Sequence, residues 1–146
     1  MTRINLLPPS ELTDQHLFAE FREIKMVPKA LNRSLRARGL IGVQRSIPSR
    51  FTLNTGHVMF FYDKGKYLAD RYEQLKAELR VRGVQFNELS AFDSDDVFAG
   101  NPKLFGGYVP TAEAITIIRN RIAEKIAMKP EWYRYCGKSL DLGQGV

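Results

Sequence analysis

Thr13-Asp-Gln-His-Leu17-Phe-Ala-Glu-Phe21-Arg-Glu-Ile24-Lys-Met-Val-Pro28-Lys-Ala-Leu31-Asn-Arg-Ser-Leu35 is the stretch that decides the fold. Leu17, Phe21, Ile24, Pro28, Leu31 and Leu35 recur at helical spacing, and at roughly 100° per residue they stay within about 40° of one line. Such a helix must lay its apolar edge against a core. Thr13 or Ser10 can cap it. Pro28 should kink it, because proline lacks a donor and crowds the preceding turn, and Gly39 offers a stop. The same wheel puts Arg22, Lys25, Lys29, Arg33 and Arg36 on one basic flank, roughly 80–160° from the apolar line, with His16 and Glu23 about 100–120° the other way. Glu23 is therefore the carboxylate at the edge of a basic surface. Periodicity alone describes it as well, and more commonly, as a solvated acid paired with a neighbouring base.

Working outward, Leu68, Tyr72, Leu75 and Leu79 mark a second helix over about 64–82, stopped by Gly83. A third follows Pro110, with the stripe Ile115, Ile118, Ile122 and Ile126, a basic ridge of Arg121 and Lys125 beside it, and Pro130 at its end. Between the helices, 40–63 loses the pattern at Gly42, Pro48 and Gly56. His57-Val-Met-Phe-Phe-Tyr62 reads as core-filling irregular chain or a short strand, with His57 a hydrogen-bonded structural histidine. Segment 84–107 reads as a long acidic loop. Trp132-Tyr-Arg-Tyr-Cys-Gly-Lys138 mixes rings and cations; it suits nucleic-acid contact and suits equally well a C-terminal segment packed back onto the helices. Three helices with long connections specify an all-α chain. Residues 1–146 are expected to form a single domain, with 139–146 a flexible tail.

The 146 residues can bury a sizeable core, and 44% apolar with 26% charged residues is ordinary for a globular protein. The single cysteine, Cys136, cannot form an internal disulfide, and with His16 and His57 the only histidines a structural zinc site is not expected. No run reaches the ~18 apolar residues of a membrane span, and Pro8-Pro9-Ser10-Glu11 interrupts any secretory apolar stretch. An intracellular, cytoplasmic protein is therefore expected. Its net charge of +6 favours a polyanionic partner, nucleic acid first and a membrane surface next. Residues 1–50 hold nine Lys/Arg against four Asp/Glu, whereas 84–102 hold Glu88, Asp93, Asp95 and Asp96 without a base. One face is expected to be positive and the acidic loop to lie far from it.

Met1-Thr-Arg-Ile-Asn-Leu, Ser10-Glu-Leu, Asp14-Gln-His-Leu, Ala19-Glu, Arg22-Glu23, Gly56-His-Val, Phe60-Phe-Tyr-Asp-Lys64 and Trp132-Tyr, in this order and spacing, resemble the pyrimidine-dimer DNA glycosylases. The likeness runs from Met1 to about Lys138. It implies an all-α fold with the N-terminal segment threaded between helices. It also implies excision of the 5′ base of a cyclobutane pyrimidine dimer, followed by strand cleavage as an abasic-site lyase. The nucleophile so implied is the α-amino group of Thr2, exposed by methionine removal, and the catalytic carboxylate is Glu23. Phosphate-binding cations fall on Arg3, Arg22, Arg121 and Lys125, and Gln15 and His16 fall on positions lining the site. Lys25, Lys29 and Arg33 extend the basic flank, and Trp132 and Tyr133 supply rings for DNA. No metal or organic cofactor is implied, and the partner is double-stranded DNA carrying UV lesions or abasic sites, met by a monomer.

The chemistry is coherent with that assignment. An α-amine has a pKa near 7.7–8 against 10.4 for lysine, so at pH 7 roughly one in ten is neutral and nucleophilic. Arg3 and Arg22 would hold phosphates and help keep the amine neutral by like-charge repulsion. The chain departs from the family pattern at Lys25 (a proline there), Met26 (a basic residue), Phe21 (a tyrosine) and Cys136 (a tyrosine), and its acidic loop is a few residues longer. These departures bear on lesion preference more than on lyase chemistry. Two other readings fit the same residues: the same chemistry on another base lesion, and a non-catalytic basic DNA-binding domain.

Overall fold

A computed structural model describes residues 3–140. Thr2, the implied nucleophile, lies outside the described residues, as does residue 141 onward of the expected tail. The order is a 3-10 turn at Pro9–Glu11, then α1 (Asp14–Glu23), α2 (Met26–Ser46), the single turn α3 (His57–Phe60) and α4 (Gly65–Val81). A second 3-10 turn at Pro102–Leu104, α5 (Ala112–Met128) and the antiparallel pair β1 (Arg134–Tyr135) and β2 (Lys138–Ser139) complete it. Among the described residues the fold is all-α apart from this hairpin of two-residue strands and one isolated bridge between Lys64 and Phe105.

Thr13 caps α1, its hydroxyl accepting from the His16 amide at 3.2 Å. The bend expected at Pro28 falls instead at Ile24–Lys25, which separates α1 from α2. Pro28 occupies the first turn of α2, where no intrahelical donor is needed, so its ring costs the helix nothing. Gly39, expected as a stop, is a break: it adopts φ 72°, ψ 173°, and helical chain resumes to Ser46. A left-handed φ of this kind favours glycine. The helical piece after it was hidden by Gly42 and the absence of a clear apolar stripe. Likewise 57–60 is one helical turn, neither strand nor irregular chain.

The core lies between α1, α2 and α4. Leu17, Ile24, Val27 and Leu31 meet Leu68, Tyr72, Leu75 and Leu79, all at most 1% exposed. Each such side chain contributes about 1.5–3 kcal/mol on burial. α5 closes the core with Ala114, Ile118 and Ile122 and is capped by Thr111, whose hydroxyl accepts from the Ala114 amide at 3.0 Å. The long connection 84–107 is irregular but packed. Phe92, Val97, Phe98 and Leu104 are buried, and the Asp93 carboxylate accepts from the Val97 and Phe98 amides at 2.9 and 2.8 Å. Gly65 makes room for this connection, since a Cβ there would stand 2.5 Å from the Phe98 ring.

The N-terminal segment runs through the core, as the resemblance implies. Ile4, Asn5, Leu6 and Leu7 are all buried. A chain so placed must find partners for its backbone amides and carbonyls. The Ile4 amide donates to His57 Nε2 at 2.9 Å, while His57 Nδ1 donates to the Thr52 carbonyl at 2.7 Å. This pairing fixes the neutral tautomer, and burial pulls the His57 pKa below its ordinary value. The Asn5 amide donates to Glu20 Oε1 at 3.1 Å, and Arg71 Nη1 donates to the Leu7 carbonyl at 2.7 Å. Arg71 also pairs with Glu20 through both oxygens, Nη2 to Oε1 at 2.9 Å and Nε to Oε2.

Candidate active site

Where the N-terminal segment emerges beside α1 there is a cavity of about 210 Å³. Arg3 and Asn5 line it from the N-terminal segment, and Gln15, His16, Ala19, Glu20 and Glu23 from α1. Lys125 of α5 and the pair Trp132 and Tyr133 complete the wall. His16 and Glu23, placed one above the other by the helical wheel, share this wall.

Electrostatically the cavity is mixed. Burial, then the nearby charge of Arg121, pulls the Arg3 pKa down, and Glu23 and Tyr133 oppose that shift. Arg3 therefore stands within electrostatic reach of both Glu23 and Arg121. His16 is pushed down to about 4, first by burial and then by Arg3, so it is neutral at pH 7. Its Nδ1 meets the Thr13 hydroxyl at 2.6 Å, and its ring stacks on Tyr133 with centroids 4.9 Å apart and planes 8° off parallel. Among the described residues, two buried side-chain polar atoms have no hydrogen-bond partner, and both belong to residues that line the cavity: Arg3 Nε and Asn5 Oδ1. Among the described residues no cluster of three or more His, Cys, Asp or Glu could hold a metal ion.

The residues singled out in the sequence divide between this cavity and elsewhere. Gln15 lines the cavity, but its amide is engaged: Nε2 donates to the Trp132 carbonyl at 2.8 Å and Oε1 accepts from the Arg134 amide at 2.9 Å. Tyr133 is buried against His16, whereas Trp132 is 57% exposed. Arg121 stands one helical turn before Lys125 and lies 3.6 Å from Glu124. Arg33 is exposed on α2 and lines neither this cavity nor the next.

Arg22, Lys25 and Lys29 line a second cavity of about 310 Å³, together with Met26 and Pro28. Its opposite wall is Ser90 to Asp95, including Asp93 and Asp95. The acidic loop is therefore not remote from the basic flank but faces it. The cause lies in α4, where the Lys76 ammonium donates to the carbonyls of Glu88 and Ser90 at 2.9 and 2.8 Å and holds the loop down beside α2. Phe21 lines neither cavity; it stacks on Tyr72 at 5.1 Å.

A family model described as pyrimidine dimer DNA glycosylase matches residues 1–91. The chain belongs to that family. The match takes in Arg3, Gln15, His16, Arg22 and Glu23, and also Glu20, His57 and Arg71, which hold the N-terminal segment in this pyrimidine dimer DNA glycosylase. Lys125, Trp132 and Tyr133 lie beyond the matched residues and reach the same cavity through α5 and the C-terminal hairpin. Helical spacing singles out Glu23 but not Glu20. The signal is nevertheless present: on the wheel Glu20 sits only about 60° from the apolar line, half the offset of Glu23, which marks it as the buried acid of the two. Its partner Arg71 is 51 positions away, and nothing local in the sequence couples them.

Proposed function

We propose that this glycosylase excises the 5′ base of cyclobutane pyrimidine dimers and then cleaves the strand as an abasic-site lyase, working as a single domain through the α-amine of Thr2. What supports the reading is one convergence. Arg3 (the residue after Thr2), Glu23 of α1, Lys125 of α5 and the aromatic pair Trp132 and Tyr133 meet at one cavity although they span most of the chain.

In this reading the neutral amine attacks the sugar C1′ and its lone pair forms the new C–N bond as the base departs. Ring opening gives an iminium between the amine nitrogen and C1′. Glu23 stabilises the cationic sugar during departure of the base. The iminium then acidifies the C2′ proton. Its removal, by Glu23 or a water that Glu23 holds, breaks the 3′ C–O bond and expels the downstream strand with its 5′-phosphate. Water then hydrolyses the iminium, which frees the amine and leaves an unsaturated aldehyde on the upstream strand. Arg3, Arg22, Arg121 and Lys125 hold phosphates on either side, and neutral His16 serves as a hydrogen-bonding group without adding charge. Because a stacked duplex hides C1′, binding must extrude a nucleotide, helped by the weakened pairing at the lesion.

Borohydride trapping on a dimer-containing duplex, followed by mass spectrometry of the adduct, tests the proposal. The expected adduct is on the peptide beginning at Thr2, without Met1. An adduct on a lysine refutes the amine assignment. Trapping only on duplexes with other lesions moves the activity to another base, and normal binding with neither trapping nor cleavage leaves a DNA-binding domain.

A further inference from the structure

The C-terminal hairpin is held to the first turn of α1 by a set of contacts that the chemistry above does not use. Asp14 is 6% exposed, and its carboxylate accepts from the two amides at the hairpin tip, Cys136 at 3.0 Å and Gly137 at 2.7 Å. Cys136 (φ 50°) and Gly137 (φ 78°) both take left-handed conformations there. Positive φ at both central residues is what a two-residue hairpin turn requires, and at this tip both N–H groups donate to the one Asp14 carboxylate. Arg82, at the end of α4, locks the acceptor in place. Its Nη1 donates to Asp14 Oδ1 at 2.9 Å and its Nη2 to the Leu12 carbonyl at 2.7 Å, while its guanidinium lies 4.3 Å from the centre of the Tyr135 ring. The Tyr135 hydroxyl in turn donates to the Ser10 carbonyl at 2.6 Å. The next two residues of α1 continue the seam, Gln15 through the Trp132 carbonyl and the Arg134 amide, and His16 through the Tyr133 ring.

We infer that Asp14, locked by Arg82, is the positioning residue that docks the 132–139 hairpin as the aromatic wall of the cavity, so that lesion binding depends on it while the bond-making step does not. The asymmetry follows from where the groups sit. Arg3 and Glu23 belong to elements held by Glu20, Arg71, His57 and the core, none of which needs the hairpin. Among the described residues, Trp132 and Tyr133 have no other tether to α1 than the seam just described and the chain leading from α5. Loss of the Asp14 carboxylate leaves the two amides without their acceptor and Arg82 with Glu78 as its remaining acid, at 2.8 Å, and the wall swings away from a cavity whose reacting groups stay in place. The inference rests on the reading of the cavity as the lesion site.

The test combines backbone exchange, the single tryptophan and kinetics. Cys136 and Gly137 are exposed residues at a hairpin tip, so protection of their amides from hydrogen exchange in the wild-type protein can come only from the clamp. Fast exchange there overturns the inference without any variant. Asp14→Asn should accelerate that exchange and lower the fluorescence anisotropy of Trp132, the only tryptophan. In the same variant KM for a dimer duplex should rise by about tenfold, the scale of a lost ring–base stacking contact. Its single-turnover rate at saturating protein should stay within about threefold of wild type, as expected when uniform binding is lost and transition-state contacts are kept. An undocked hairpin with unchanged KM, or a fall in the saturated rate at unchanged KM, refutes it. Arg82→Lys keeps the charge but not the fork, should show the same split at smaller size, and is read in the same way where Asp14→Asn does not fold. Slow exchange at the two amides in a protein that cleaves no dimer duplex overturns the proposed function and leaves the clamp standing.

Discussion

Stranding the charge of Arg71 is the sharpest way to test how the N-terminal segment is held. Arg71 and Glu20 are 3% and 0% exposed at their side chains, and they form a two-contact pair that also carries the Asn5 amide and the Leu7 carbonyl. Glu20→Gln keeps the shape of the side chain and an acceptor for Asn5 but removes the charge opposing Arg71. Breaking one side of a buried pair costs about 3–5 kcal/mol, which for a chain of this length moves the melting point by roughly 10–15 °C. Adding Arg71→Met removes the stranded charge, so the double variant should recover. It should remain only about 1–3 kcal/mol below wild type, the cost of leaving the Leu7 carbonyl unpaired. Urea unfolding followed by circular dichroism, read at constant m-value, gives the three stabilities. If the double variant is no more stable than Glu20→Gln alone, lost packing rather than a stranded charge set the cost. If Glu20→Gln lies within about 1 kcal/mol of wild type, Arg71 does not depend on Glu20 at all.

The site yields further expectations. Glu23→Gln should lower strand cleavage by about 10²–10⁴-fold while duplex affinity stays within a few-fold; unchanged cleavage removes Glu23 from its role. Replacing Lys125 by Met should reduce the log–log salt dependence of duplex binding by about one unit, and an unchanged slope means that Lys125 meets no phosphate. His16 and His57 both have folded pKa values below the ordinary 6.5, so the folded state favours their neutral forms. Their contribution is present above about pH 6.5 and is lost as pH falls towards the His16 value of about 4, because the unfolded chain then binds more protons. Unfolding midpoints that do not change over that window contradict these shifts.

Much of the helical frame was legible because α1 with the first half of α2, α4 and α5 each carry an apolar stripe. The second expected helix, 64–82, is α4 at Gly65–Val81, and the third follows Pro110 as Ala112–Met128. Where the stripe was continuous but the backbone was not, at Ile24–Lys25, periodicity could not see the break. The angular offset per residue is the same whether one helix or two bent helices carry it. His57 as a hydrogen-bonded structural histidine was readable from its place in an apolar run, but not the identity of its partner, the amide of Ile4. Gln15 shows the opposite limit. The resemblance placed it at the site, and only the fold reveals that its amide serves the C-terminal chain from 117 and 119 positions away. The position of the acidic loop was misjudged because net charge along a sequence says nothing of tertiary neighbours. Lys76 brings the loop to the basic flank through backbone carbonyls, which have no sequence signature.

The threading of residues 4–7 has a consequence for the order in which the molecule is made. During synthesis this segment emerges before the groups that fix it, Glu20, His57 and Arg71, which follow over the next several dozen residues. The wall facing it comes from α5 and the hairpin near the far end of the chain. Contacts of such long sequence separation form late, because loop closure must precede them. A nascent chain can build α1 or α4 locally but cannot hold residues 4–7 in register before their partners arrive. Under the proposed function, strand cleavage would then require the segment, α5 and the hairpin to have folded together, and a product of translation ending before α5 should not cut DNA.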